Sequence, residues 1–91
     1  MKLKWTSKAL SDLARLYDFL VLASKPAAAR TVQSLTQAPV ILLTHPRMGE
    51  QLFQFEPREV RRIFAGEYEV RYELTGQTVY VLRLWHTRES R

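Results

Sequence analysis

The side chains best suited to chemistry gather toward the carboxy terminus: Arg61, Arg62, Arg71, Arg83, His86, Arg88 and Arg91. Arginine presents a planar, permanently charged fork that fits phosphates and carboxylates alike, so several on one sheet face point to recognition of an anion. A histidine titrates near neutrality, which suits His86 for acid or base work. The same arginines can instead pair with Glu67, Glu69, Glu73 and Glu89 across neighbouring strands, as charged residues on a solvated face commonly do. A single histidine at a strand end is likewise more often structural than catalytic. Tyr68 and Tyr72 read first as core residues with a hydroxyl at the rim, and second as stacking platforms for nucleic-acid bases.

Other chemistries are poorly served. The chain has no glycine-rich phosphate loop, Gly-x-Ser-x-Gly, His-Glu-x-x-His or histidine pair at metal spacing. With no cysteine, a thiolate nucleophile and a disulfide framework are excluded, and with only His45 and His86 a zinc site is not expected. No metal and no cofactor are therefore expected.

These residues must be positioned by a small scaffold. Ninety-one residues and 10.7 kDa suit a single domain, 1–91, with 46% hydrophobic residues and ten aromatics to build a core. The net charge of +5 is uneven: residues 1–45 carry six bases against two acids, whereas residues 46–91 carry eight arginines against seven glutamates. The interleaved glutamates make the total charge weak support for polyanion binding. The longest uncharged stretch, Thr31 to Thr44, is broken by Gln33, Ser34, Gln37 and Pro39, and Met1 to Trp5 lacks a signal-peptide apolar region. A soluble cytoplasmic protein with no membrane partner is the expectation.

Periodicity places the elements. Lys2 to Thr6 alternates polar and apolar, putting Leu3 and Trp5 on one face of a strand. Thr6 or Ser7 can cap a helix running to about Ala23, with Leu10, Leu13, Leu16, Tyr17 and Leu20 inward and Asp12 and Asp18 outward. Ser24-Lys25-Pro26 restarts a helix whose inner stripe is Ala28, Ala29, Val32, Leu35, Leu42 and Leu43, with a kink or break at Pro39. Residues 47–57 read as a loop that Phe53 and Phe55 tuck onto the body. Three strands follow, over Val60–Phe64, Tyr68–Leu74 and Val79–Trp85, separated by turns at Ala65-Gly66 and Thr75-Gly76. Because a buried unpaired arginine is costly, Tyr80, Leu82 and Leu84 are assigned to the core side of the last strand and Arg83 to the open face. The expected fold is α+β: a twisted antiparallel sheet with an amino-terminal two-helix hairpin packed on one face, in the order β-α-α-β-β-β.

The run Glu59-Val60-Arg61-Arg62-Ile63, then Gly66-Glu67-Tyr68-Glu69-Val70-Arg71-Tyr72, then Val79 to His86-Thr87-Arg88-Glu89, resembles the RelE/ParE superfamily of bacterial toxins. The amino-terminal features agree: a short strand, Ala9 through Asp12-Leu13 on a first helix, a second helix ending near His45-Pro46, and Gly49. The resemblance covers the whole chain. It implies the toxin of a type II toxin–antitoxin, or plasmid-stabilisation, module that inhibits bacterial growth and is neutralised by a cognate antitoxin. ParE-like members poison DNA gyrase; RelE-like members cut messenger RNA on the ribosome. Arg62 and Arg88 match basic functional positions of the RelE-like group, and a nuclease would also use His86. Glu69, however, stands where that group carries a base, and no tyrosine follows Trp85, so the ParE-like reading comes first. A non-toxic binding module is the rival from another class. The implied target-binding residues are Arg61, Arg62, Arg71, Arg83, His86 and Arg88, and the implied antitoxin-binding residues are Lys8, Leu13, Arg15, Leu16 and Leu20.

Overall fold

Thr6 ends the first strand and starts the first helix, because its Oγ1 accepts the Ala9 N–H at 3.1 Å and so satisfies one of the helix's orphan donors. In the computed structural model, which describes residues 1–89, these elements are β1 (Lys2–Trp5) and α1 (Ser7–Val21). The buried residues of α1 are Ala9, Asp12 and Leu16. This corrects the expected stripe: Leu10 is exposed and Asp12 faces inward, where polar partners await it. Ser24 caps α2 (Lys25–Gln37) by accepting the Ala27 N–H at 3.2 Å, with Pro26 in the first turn. Ala28 and Leu35 are buried, but Ala29, expected inside, is exposed. The chain breaks at Pro39 as expected, tightening into a 3₁₀ segment, Ala38–Leu43, that buries Pro39 and Leu42.

The segment expected to be a loop contains a two-residue strand, β2 (Glu50–Gln51), and a 3₁₀ turn, Phe53–Phe55. Phe55 is half-buried, whereas Phe53 does not tuck in and is 65% exposed. Then come β3 (Glu59–Ala65), β4 (Tyr68–Thr75) and β5 (Thr78–His86), joined at Gly66 and Gly76, whose φ angles of 60° and 58° are left-handed and favour glycine. The sheet order is β1-β5-β4-β3-β2. Strands β3 to β5 are antiparallel as expected and β2 extends them antiparallel, while β1 adds to the free side of β5 in parallel, which corrects the expected antiparallel sheet to a mixed one.

A bulge sets which side chains face the helices. Tyr72 pairs with Val81 and Arg71 with Arg83, so Leu82 has no counterpart on β4. Before the bulge Val79 and Val81 point inward; after it Leu84 does. The assignment of Tyr80 and Leu82 to the core is thus corrected, while Leu84 is inside and Arg83 lies on the second face. The start of α1 holds the bulge: Thr6 donates from N and Oγ1 to Val81 O at 3.1 and 3.0 Å, and from Oγ1 to Leu82 O at 3.0 Å. Asp12 accepts the Leu84 N–H at 3.0 Å.

The core lies between the helices and this face, from Ala9, Leu16 and Leu35 against Val70, Val81 and Leu84 to Leu42 against Tyr72 and Val79. Tyr72 is fully buried, not rim-exposed; its hydroxyl donates to Pro46 O at 2.8 Å and accepts the Gly49 N–H at 3.1 Å.

Candidate anion-binding face and apolar groove

Three arginines stand side by side on the face away from the helices. Arg62 is opposite Arg71, and Arg71 is opposite Arg83, so the row crosses β3, β4 and β5. Like charges directly opposed are destabilising on their own, and here carboxylates and rings offset them. Arg62 reaches Glu50 at 2.9 Å and Glu69 at 3.4 Å, Arg71 reaches Glu69 at 3.0 Å, and Arg83 reaches Asp12 at 2.8 Å. The Arg71 guanidinium also lies 4.7 Å from the Trp85 ring centre and 5.3 Å from that of Phe55, with Arg62 over Phe64 at 5.4 Å. The Glu50 hydrogen bond raises the Arg62 pKa and the Asp12 hydrogen bond raises that of Arg83, keeping both forks charged. Glu69 is buried between two of the arginines, so the expected cross-strand pairing is present there, and three carboxylates, Glu50, Glu69 and Asp12, balance the three arginines of the row.

The other expected target residues lie elsewhere. Arg61 alternates to the helix side, where it donates to Glu59 at 2.9 Å, to Gly49 O at 2.8 Å and to Gln51 at 3.4 Å, riveting the chain before β3. His86 follows Leu84 to the helix side too, packed edge-on against Tyr68 with ring centres 5.1 Å apart. Its Nδ1 accepts the Arg88 N–H at 3.1 Å, and Nε2 lies 3.6 Å from Glu67. The neutral ring then carries its proton on Nε2, and its one lone pair is already engaged. Arg88 is exposed just beyond β5. Arg91 lies outside the described residues.

His86 and Tyr68 form one wall of an apolar groove of about 820 Å³, whose other wall is the second half of α1 with Leu16, Phe19 and Leu20. Arg15, Arg88 and Glu89 rim it. Arg15 bridges Glu89 at 2.9 Å and Asp12 at 3.7 Å, tying the carboxy-terminal segment to the helix. Burial raises the Tyr68 pKa, and the nearby charges of Glu67 and Glu89 add to this. Of the residues expected to meet an antitoxin, Arg15, Leu16 and Leu20 line the groove, Leu13 packs against the core cluster, and Lys8 sits in a separate cleft. Sequence reasoning missed Phe19, which is 71% exposed beside Leu22 at 84%. The signal was present: both are large apolar residues off the inner stripe of α1.

Comparison with known proteins agrees across the chain. Residues 3–91 match the family described as the ParE toxin of type II toxin–antitoxin system, parDE. Toxin RelE1 of Caulobacter vibrioides is 35% identical over 85 residues, covering 92% of this chain and 90% of the relative. A chain from the chromosomal ParDE TA system of P. aeruginosa superposes with a TM-score of 0.79 at 27% identity, covering 94% of this chain and 95% of that one.

Proposed function

The chain belongs to the ParE toxin family of type II toxin–antitoxin systems, and from that premise we propose that it arrests growth by inhibiting DNA gyrase in the cytoplasm until its antitoxin neutralises it. Release of such a toxin in cells that lose the antitoxin is how the pair would stabilise a plasmid. The observation that carries the gyrase reading is how the residues a ribonuclease would need are placed: Arg62 lies on the second face of the sheet, away from His86 and Arg88 in the groove, and the His86 nitrogen that would take a proton, Nδ1, already accepts the Arg88 N–H at 3.1 Å. A base and a charge stabiliser acting on one 2′-hydroxyl must converge on it. An inhibitor that works by binding needs no such convergence.

The antitoxin fits the apolar groove. Leu16, Phe19 and Leu20 offer an apolar wall for an amphipathic helix, and Arg15 and Arg88 at the rim favour acidic side chains on it. A disordered antitoxin segment would fold on docking there.

The test is induction with and without the antitoxin, followed by supercoiling and RNA assays on purified toxin. The expected result is growth arrest with gyrase-trapped DNA breaks, and His86→Gln is expected to change toxicity only modestly. Codon-positioned cleavage of translated messages with supercoiling unaffected, and a loss of about 10²–10⁴-fold in His86→Gln, would assign the chain to the ribonuclease reading instead.

A further inference from the structure

A second cleft, of about 460 Å³, opens where the start of α1 meets the Phe53–Phe55 turn on the arginine-bearing side. Lys8, Arg58, Arg71 and Arg83 line it, four cations each from a different part of the chain. Carboxylates hold Arg58 and Arg83 along one edge each and Arg71 through one nitrogen, its Nε being buried with no hydrogen-bond partner among the described residues. Arg58 donates to Glu73 from Nε at 3.1 Å and Nη2 at 2.8 Å, Arg83 donates to Asp12 from Nε at 2.8 Å and Nη2 at 3.1 Å, and Arg71 donates to Glu69 from Nη2 at 3.0 Å. In each, Nη1 is left unspent among the hydrogen bonds of the described residues. A guanidinium gripped along one edge is already oriented, so little freedom is lost when a ligand takes the other edge. Lys8 is exposed and joins no ion pair among the described residues. The start of the 15-residue α1 adds the N–H groups of Ser7 and Lys8, which have no intrahelical acceptor, and the positive end of the helix dipole.

Planar and tetrahedral anions use such a site differently. A carboxylate has two oxygens in one plane and is satisfied by a single fork, whereas the oxygens of a phosphate accept from several donors arriving in different directions. Donors from three elements and the turn before β3 suit the second geometry. We propose that this cleft is a binding subsite for a phosphate group. The arginine row continues from Arg71 to Arg62 across the sheet, about 5 Å per strand, but Glu50 and Glu69 offset the Arg62 charge, so the cleft itself carries the phosphate site, and titration distinguishes a free phosphate from one carried in a nucleic-acid backbone. The subsite does not depend on the gyrase reading, because binding is measured on the isolated toxin.

The experiment is NMR titration of the ¹⁵N-labelled protein with inorganic phosphate, a nucleoside monophosphate, a short single-stranded oligonucleotide and an acidic peptide of similar charge. The Ser7 and Lys8 amide signals and the Nε signals of Arg58, Arg71 and Arg83 are expected to shift together and saturate. Tighter binding of the oligonucleotide identifies a nucleic-acid backbone as the source; equal binding of all three phosphate ligands identifies a free phosphate group, and both outcomes support the subsite. The double variant Lys8→Gln/Arg58→Gln, made at exposed positions so that folding is retained, should weaken phosphate binding by about tenfold. Lys25→Gln/Arg30→Gln removes the same charge from α2 and should change it by less than about twofold. Shifts that are linear and spread over the whole basic surface, an equal loss in the control variant, or saturation of the same signals by the acidic peptide at lower concentration would each overturn the proposal.

Discussion

Replacing Asp12 should cost more stability than any other single charge on α1, and the part of that cost due to its ionisation should be lost in acid. Its carboxylate is buried, accepts Arg83 Nε and Nη2 at 2.8 and 3.1 Å and the Leu84 N–H at 3.0 Å, and lies 3.7 Å from Arg15. In Asp12→Ala the Leu84 N–H loses its acceptor inside the bulge, worth about 1–3 kcal/mol for an unsatisfied buried group. The Arg83 side chain is 31% exposed and can recover water, so its loss is discounted to about 1 kcal/mol. The sum, about 2–4 kcal/mol, is a large share of the roughly 5–15 kcal/mol that holds a domain together. Asp12→Asn keeps one acceptor and should cost about 1–2 kcal/mol.

Acid erodes the advantage. Burial acts to raise the Asp12 pKa, but the Arg83 hydrogen bond, the Leu84 N–H and the charges of Arg83 and Arg15 together outweigh it, leaving the pKa below its ordinary 3.8. A carboxylate with a depressed folded-state pKa contributes stability that is complete above the unfolded value and is lost as pH falls through the folded one. Urea denaturation of wild type, Asp12→Asn and Asp12→Ala from pH 7 down to about 2 measures this through the midpoint at constant slope. The wild-type advantage over Asp12→Asn should be flat above about pH 5 and shrink below the ordinary carboxylate pKa near 4. A constant difference across that range, or an Asp12→Ala variant as stable as wild type at pH 7, would refute the reasoning.

The Gly49 site gives a second test: a Cβ there would meet Arg62 O and the Tyr72 hydroxyl, both at 2.6 Å, so Gly49→Ala should destabilise by about 1–3 kcal/mol through overpacking. Tyr72→Phe leaves Pro46 O and the Gly49 N–H without partners and should cost about 1–3 kcal/mol, read as a lower thermal midpoint. Phe19→Asp, at an exposed position beside the groove, should leave the melting curve and the toxicity in place while weakening antitoxin capture at least about tenfold, measured by calorimetry. Arg15→Glu should slow antitoxin association and flatten its salt dependence; an unchanged rate would remove Arg15 from the docking surface.

What the sequence could disclose followed from local rules, and what it hid came from contacts distant along the chain. Thr6, Ser24, Pro39, Gly66 and Gly76 act on their immediate neighbours, and each cap, break or turn they announce is present. Asp12 looked like a solvated helix residue because its partners, Arg83 and Leu84, are more than 70 positions away. The bulge had a similar origin. Period-two reasoning assumes one unbroken phase, and a run apolar on both faces such as Val79 to Trp85 carries no mark of where the phase slips. The slip at Leu82 decides the site, since it lets Val79 and Val81 face inward while Arg83 joins the row of Arg62 and Arg71 and Trp85 lies beneath Arg71. The same alternation then carries His86 to the opposite side. The cationic cluster visible in the sequence is therefore two surfaces: an arginine row suited to an anion, and an apolar groove rimmed by Arg15 and Arg88 suited to a helix. Mutations on one should leave the other's binding intact except through Asp12, which holds Arg83 of the row at 2.8 Å and lies 3.7 Å from Arg15 at the groove rim; elsewhere the sheet between them is packed from Val70 to Leu84 and transmits no side-chain rearrangement without disrupting the core.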